Sequence, residues 1–173
     1  PINDPPAEAV GIDGIEKIIK KESLVRACED GQDKEARWNM MMASTEGAMA
    51  FSKGLGAVHS MSHALGANQE LRLHHGTLNA VILPSVLRFN QNHVEDKYTR
   101  IARAMGNKVT TDLADEIEKL NEKIGMPASL SEMDVTEDMI PQLVAHAAND
   151  PSNLTTPRLP SLEEWEKLFL EAL

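Results

Sequence analysis

Four of the six histidines in the 173-residue chain lie within one short window, at His59, His63, His74 and His75. His59 and His63 are four residues apart, so a helix would place both imidazoles on one face. Neutral imidazole binds zinc, iron, nickel and copper, and such a pair can supply two nitrogens to one ion. His74 or His75 could supply a third. The window therefore predicts a metal site, against the alternative of ordinary hydrogen-bonded histidines that an isolated pair would favour.

The residues around the histidine pair predict how its helix is oriented. Gly56 and Gly66 extend the histidine stripe at a spacing of three, so this face allows another group to approach the backbone closely. The opposite face carries the apolar side chains of Val58, Met61 and Leu65. We predict a short helix over residues 58–66 that packs this apolar face into the core. His93 and His146 occur singly, and we expect them at the surface or at helix ends.

Helical periodicity and capping signals cover most of the chain, and no segment shows the sustained alternation or β-branched runs of a strand. We expect an all-α domain, a compact bundle of about seven or eight helices. Besides the histidine helix, the predicted helices cover residues 5–27, 33–54, 76–90 with a kink at Pro84, 94–105, 111–124, 136–148, and a last helix that begins at the capping box of Ser161. Residues 150–160, with three prolines, are predicted to form a loop.

The second predicted helix, which Asp33 caps, is rich in methionine. A broad face of this helix carries Trp38, Met41, Met42, Thr45, Ala48, Met49 and Phe51. Methionine fills irregular gaps between packed helices, so we expect this face to lie in the core and not against a cofactor.

Composition and charge exclude several classes of protein. The apolar and charged contents, 42% and 25%, are globular values, and the net charge is −10. This charge disfavours nucleic acid and anionic membranes as partners, because both require basic patches. The single cysteine, Cys28, allows no intrachain disulfide. The longest apolar stretch, 78–87, is about half a membrane span, and no signal peptide is visible, so we expect a soluble, cytoplasmic protein.

Several motifs resemble those of the iron-containing (group III) alcohol dehydrogenases. The run Gly56-Ala57-Val58-His59-Ser60-Met61-Ser62-His63-Ala64-Leu65-Gly66-Ala67 is similar to that family's signature, as are residues 75–84 and 88–90. The resemblance continues through residues 97–98, 101–106, 125–127 and 157–158, and so extends over essentially the whole chain. It implies the helical C-terminal domain of a dehydroquinate synthase-like, iron alcohol dehydrogenase fold. We therefore treat residues 1–173 as a helical metal-binding domain, a fragment without the family's N-terminal α/β nucleotide-binding domain.

The resemblance also implies roles for the clustered histidines. His59 and His75 correspond to two metal ligands of the family, which bind iron or in some members zinc. His63 corresponds to the histidine beside the nicotinamide and substrate, which implies a catalytic and cofactor-contacting role. The interval between His63 and His75 is slightly longer than is typical, so His74 stays open as an alternative ligand. The family's remaining ligands, an Asp and a His, belong to a motif upstream of Pro1.

The implied enzyme is an iron-dependent, NAD(P)-linked alcohol dehydrogenase that converts an alcohol to an aldehyde or ketone by hydride transfer. Its partners would be the small-molecule alcohol or aldehyde substrate and NAD or NADP. The chain alone is expected to be inactive and metal-poor. Two alternatives stay open: another enzyme of the superfamily, such as a maleylacetate reductase or glycerol dehydrogenase, or a non-catalytic helical module that binds metal or a partner. The sequence does not disclose the alcohol, the choice of NAD or NADP, or the oligomeric state, and a homo-oligomer is compatible with it.

The ligand count predicts that the 173-residue chain binds divalent metal weakly. Two imidazoles fall short of the three or four protein ligands usual in a catalytic site. Isothermal titration calorimetry with Zn²⁺ or Fe²⁺ should show no tight stoichiometric binding. Tight binding that His59→Ala abolishes would contradict this prediction.

Overall fold

The computed structural model describes residues 2–108 and 112–173. These residues contain no β-strand, which confirms the all-α fold. They form nine α-helices, α1 to α9 in chain order: Pro5–Ile15, Ser23–Glu29, Lys34–Met49, Ala57–Gly66, His75–Asn90, Glu95–Ala104, Leu113–Lys123, Ile140–Asn149 and Leu162–Ala172.

The helices belong to two compact units. One unit comprises residues 2–54 and 94–108, with α1, α2, α3 and α6. The other comprises Leu55–His93 and Asp112–Leu173, with the remaining five helices. All four clustered histidines lie in this second unit.

The second unit is built around the short histidine-bearing helix α4. Helix α4 packs against α5 and α8, α5 packs against α7 and α9, and α8 packs against α9. As predicted, Met61 and Leu65 of α4 are buried, and Val58 packs against the same core. The largest fully buried side chains of this unit are Trp165, Phe169, Met61, Leu65, Leu78, Ile82 and Leu130.

Helix α9 begins where the sequence predicted. The Ser161 hydroxyl accepts a hydrogen bond from the Glu164 N–H at 3.2 Å, and the Glu164 carboxylate accepts one from the Ser161 N–H at 2.9 Å. This reciprocal capping box satisfies two of the amide groups that a helix N-terminus leaves unpaired. It starts α9 in the register that buries Trp165, Leu168 and Phe169.

The prediction of one continuous helix over residues 5–27 is wrong. Helix α1 ends at Ile15, a π-helical turn follows at Glu16–Lys20, and α2 begins at Ser23. Glu22, between them, has a φ of 51°. This left-handed conformation cannot continue a right-handed helix, so the chain changes direction there.

The predicted core face of α3 is also wrong. Trp38, Met41, Met49 and Phe51 are 62%, 64%, 60% and 58% exposed. The residues of α3 that are buried instead are Ala36, Asn39, Ala43 and Glu46. Helix α1 lies so close that a Cβ on Gly14 would be 3.5 Å from the Cβ of Glu46. The buried face of α3 therefore carries the short side chains of Ala36 and Ala43 with the polar Asn39 and Glu46, and the large apolar side chains point outward.

The remaining boundaries differ from the predictions by short segments. Helix α5 runs through Pro84 to Asn90. Helix α7 begins at Leu113 and is capped by Asp112, and the predicted start at Thr111 lies outside the described residues. The predicted helix over 136–148 is a 3₁₀ turn followed by α8, and the predicted loop over 150–160 contains a 3₁₀ turn at Pro151–Thr155. No described helix is both long and apolar enough to cross a membrane.

The two tryptophans provide a test of this core assignment. Trp165→Ala should lower the free energy of unfolding by about 3–5 kcal/mol, because it opens a cavity at a side chain that is 1% exposed. Trp38→Ala is the matched control and should change it by about 0.5 kcal/mol or less. Urea denaturation followed by circular dichroism measures both. Equal losses in the two variants would contradict the assignment.

Candidate metal and catalytic site

Three of the four clustered imidazoles meet on the side of α4 that faces away from the core. The ring centroids of His59 and His63 are 5.8 Å apart, as expected for residues one helical turn apart. His75, in the first turn of α5, brings its ring to 5.2 Å from His59 and 5.5 Å from His63. The three rings thus form a triangle, which we call the imidazole triangle.

The surroundings of His59 disfavour its protonated form. Burial lowers the pKa of its imidazole, and the neighbouring rings of His75 and His63 lower it further. Both effects disfavour a positive charge at this position. At neutral pH His59 therefore carries the neutral imidazole that metal ions require.

His63 has a carboxylate partner that the sequence analysis did not identify. Its Nδ1 lies 3.0 Å from Oδ2 of Asp150, at the C-terminal end of α8. Burial by itself would raise the pKa of Asp150, but hydrogen bonds from Ser152 and His63 outweigh it and lower this pKa below its ordinary value. Asp150 is therefore a carboxylate at neutral pH, and it can accept a hydrogen bond from a protonated Nδ1 of His63.

Asp150 carried only a local signal in the sequence. An aspartate directly before a proline is typical of a helix N-cap, and Asp150 does cap the 3₁₀ turn by accepting from the Ser152 N–H at 2.8 Å. Its distance of 87 residues from His63 left no pattern that joins the two.

The structure separates the adjacent residues His74 and His75. His74 is the N-cap of α5, because its Nδ1 accepts a hydrogen bond from the Thr77 N–H at 3.3 Å. Its ring is therefore bound to the N-terminus of α5. Nε2 of His75 lies 3.1 Å from the Asn79 amide nitrogen, and its Nδ1 lies 3.4 Å from Oγ of Ser62. Of the two, the imidazole triangle contains His75.

The isolated histidines lie where the sequence predicted. His93 ends a short 3₁₀ turn after α5, and His146 lies in the last turn of α8. Both are exposed.

A network of hydrogen bonds fastens the 3₁₀ turn that follows Asp150 to the start of α4. The Gly56 N–H donates to the Ser152 carbonyl at 3.0 Å, and the buried Ser60 hydroxyl donates to Oδ1 of Asn153 at 2.6 Å. The Asn153 amide in turn donates to the Ala147 carbonyl at 2.6 Å. Helix α4, the 3₁₀ turn and the end of α8 are thereby held together, which fixes Asp150 next to His63.

The donor chemistry of the triangle fits a transition-metal ion, but the triangle is not a complete site. His59 and His75 offer imidazole nitrogens, and the Nε2 of His75 would have to exchange its contact with the Asn79 amide for the ion. Within residues 2–108 and 112–173, no three His, Cys, Asp or Glu side chains are arranged to hold one metal ion.

The helical fold recurs in the C-terminal regions of solved dehydrogenases. A crystal structure of 1,3-propanediol oxidoreductase superimposes with a TM-score of 0.91 at 31% identity, over 98% of this chain and 46% of that one. Residues 3–173 match the model of the Fe-containing alcohol dehydrogenase family, C-terminal. The chain belongs to this family, as its motifs predicted.

Curated relatives agree with this assignment. The 4-hydroxybutyrate dehydrogenase of Cupriavidus necator is 41% identical over 180 residues, which cover 100% of this chain and 47% of that protein. The lactaldehyde reductase of Escherichia coli K12 is 36% identical over 146 residues, covering 79% of this chain and 38% of that protein. The chain thus spans about half the length, or less, of these relatives.

The glycines at the two ends of α4, Gly56 as its N-cap and Gly66 as its last residue, provide a test of how this helix is anchored. Gly56 has φ 78° and ψ −167°, a region that essentially only glycine occupies, so Gly56→Ala should cost about 1–3 kcal/mol of stability. A Cβ there would be 3.7 Å from Oγ1 of Thr156, an ordinary contact, so the cost comes from the backbone.

Gly66→Ala is the matched control, because a Cβ at this helical position would meet nothing within 4 Å. This variant should be neutral or stabilise the protein by about 0.4–1 kcal/mol. Thermal unfolding of both variants measures the difference. A destabilisation by Gly66→Ala as large as that by Gly56→Ala would contradict the anchoring role of Gly56.

Proposed function

We propose that this chain is the metal-binding helical half of an iron-dependent, NAD(P)-linked alcohol dehydrogenase. The imidazole triangle, with a carboxylate behind one of its members, is the observation that carries the proposal. Membership of the Fe-containing alcohol dehydrogenase family supports it. The reaction is the oxidation of an alcohol to an aldehyde or ketone, with hydride transfer to the nicotinamide, or its reverse.

We further propose that the substrate is a small alcohol with a second polar group. The relatives named 4-hydroxybutyrate dehydrogenase, lactaldehyde reductase and 1,3-propanediol dehydrogenase support this class. All three names denote short carbon chains that carry a second oxygen function besides the reacting one.

In this proposal His59 and His75 are metal ligands. The lowered pKa of His59 keeps its imidazole neutral, and neutral imidazole is the form that coordinates. Iron, or zinc in its place, supplies Lewis acidity toward a substrate oxygen when bound. The same two residues would hold the ion near His63, whose ring lies 5.8 Å from that of His59 and 5.5 Å from that of His75.

His63 is the proposed catalytic and cofactor-contacting residue. Its Nδ1 is engaged by Asp150, so its Nε2 is the nitrogen that can exchange a proton with the substrate. The Asp150 carboxylate stabilises the imidazolium that forms when His63 accepts this proton. His63 therefore accepts the hydroxyl proton during alcohol oxidation and returns it during aldehyde reduction.

Alanine variants of the two α4 histidines in the full-length protein test these different tasks. His59→Ala should lose bound metal and turnover together, because metal affinity depends on ligand count. His63→Ala should keep the metal and lose about 10²- to 10⁴-fold in kcat, the effect expected for a general acid–base group. Elemental analysis and steady-state kinetics on both variants give the answer. Equal metal loss would make His63 a ligand and overturn the assignment.

The adjacent pair His74 and His75 supplies the matched control. His75→Ala should lose metal, whereas His74→Ala should keep it, since the ring of His74 caps α5. Retention of metal by His75→Ala, with loss in His74→Ala, would contradict the ligand set. Wild-type metal content in all four variants would show that the triangle is made of packing histidines.

A further inference from the structure

The carboxylate behind His63 has no assigned role beyond capping a turn. We propose that Asp150 is a positioning residue that locks His63 into the Nδ1–H tautomer and so presents its Nε2 as a proton acceptor. This inference rests on the proposed function of His63 and specifies how that residue is prepared for it.

The two oxygens of Asp150 are bound to different parts of the fold. Oδ1 accepts from the Ser152 backbone N–H at 2.8 Å, and Oδ2 lies 3.0 Å from Nδ1 of His63. The Asp150 side chain is 10% exposed, whereas that of His63 is 38% exposed. The carboxylate therefore cannot rotate without breaking a backbone hydrogen bond, and it offers His63 an acceptor in one fixed direction.

The backbone around Asp150 is held to the helix that carries His63. The Ser152 carbonyl accepts from the Gly56 N–H, and the Asn153 side chain joins the Ser60 hydroxyl to the Ala147 carbonyl. These contacts lie on both sides of Asp150 in sequence. The distance between the carboxylate and His63 is thus set by the fold and not by the His63 contact alone.

An ionised carboxylate only accepts hydrogen bonds, so the nitrogen that faces it must carry a proton. Nδ1 of a neutral His63 is therefore protonated, and its Nε2 bears the lone pair. Without Asp150 the ring could take either tautomer and could rotate about χ2. An imidazole with Nε2 protonated has no lone pair there and cannot accept the substrate proton through that nitrogen.

A purely structural reading assigns Asp150 only to the cap of its 3₁₀ turn. Asp112 offers a matched control for that reading, because it caps α7 with the same local geometry: its Oδ1 accepts from the Ala114 N–H, two residues on, at 2.8 Å. Among the described residues, no histidine is hydrogen-bonded to Asp112. Loss of a cap is common to Asp150→Ala and Asp112→Ala, whereas loss of the His63 partner is specific to Asp150→Ala.

The experiment uses ¹⁵N-histidine NMR on the full-length protein, prepared without metal at alkaline pH, where imidazole is neutral. Comparison with His63→Ala assigns the His63 resonances. In the wild type and in Asp112→Ala, His63 should show one fixed tautomer with Nδ1 protonated. In Asp150→Ala, its nitrogen shifts should move to those of a ring that exchanges between both tautomers. An unchanged Nδ1–H tautomer in Asp150→Ala, or an Nε2–H tautomer in the wild type, would overturn the inference.

Kinetics of the metal-loaded protein provide the second measurement. Asp150→Ala should lower kcat by about 10- to 100-fold, the usual effect of losing a carboxylate behind a functional histidine, and should leave metal content and KM near the wild-type values. Unchanged kcat would overturn the inference.

The two proposals fail in different ways. A wild-type protein that oxidises no alcohol contradicts the proposed function, whereas the tautomer of His63 in metal-free protein is measured independently of turnover. An altered tautomer in Asp150→Ala would then still support the positioning of His63.

Discussion

Helix α4 has only ten residues, and its need to bury one side fixes the site on the other. Met61 and Leu65 are 0% and 1% exposed and pack against the core of their unit. Because side chains three and four residues apart share a helix face, this burial forces His59 and His63 together onto the opposite side. The shared face of the two imidazoles is therefore set by hydrophobic packing.

The part of the site that follows from local spacing could be predicted from the sequence. Helical periodicity predicts the shared face of His59 and His63 and the apolar face behind it. The surface positions of the isolated histidines were expected because each occurs singly. Whether His74 or His75 joins the imidazole triangle depends on which of the two caps α5. Because the two residues are neighbours, periodicity could not separate them. Asp150 could not be predicted as a partner of His63, since only the packing of α8 against α4 brings these distant residues together.

The errors in predicting the fold also arise where tertiary contacts decide the outcome. The capping box of Ser161 is a local device, and it predicted the start of α9. The face of α3 was predicted from hydrophobicity, which assumes that the largest apolar side chains are inside. In α3 the reverse holds, because α1 makes close contact at Gly14: Ala43 and Glu46 are buried and Trp38 is exposed. The distance between two helices is a tertiary property, and the sequence of one helix does not determine it.

Two histidines one turn apart on the same helix have different environments, and this difference separates their chemistry. His59 is partly desolvated and lies beside two other imidazoles, which lower its pKa and favour a neutral ligand nitrogen. His63 instead lies against the Asp150 carboxylate, which is 3.0 Å from its Nδ1 and can accept a hydrogen bond from it. A residue that must hold an ion benefits from staying neutral, whereas a residue that must accept a proton benefits from a partner for the charge it gains. For the proposed roles, desolvation of His59 meets the first requirement, and the Asp150 carboxylate, 3.0 Å from His63, meets the second.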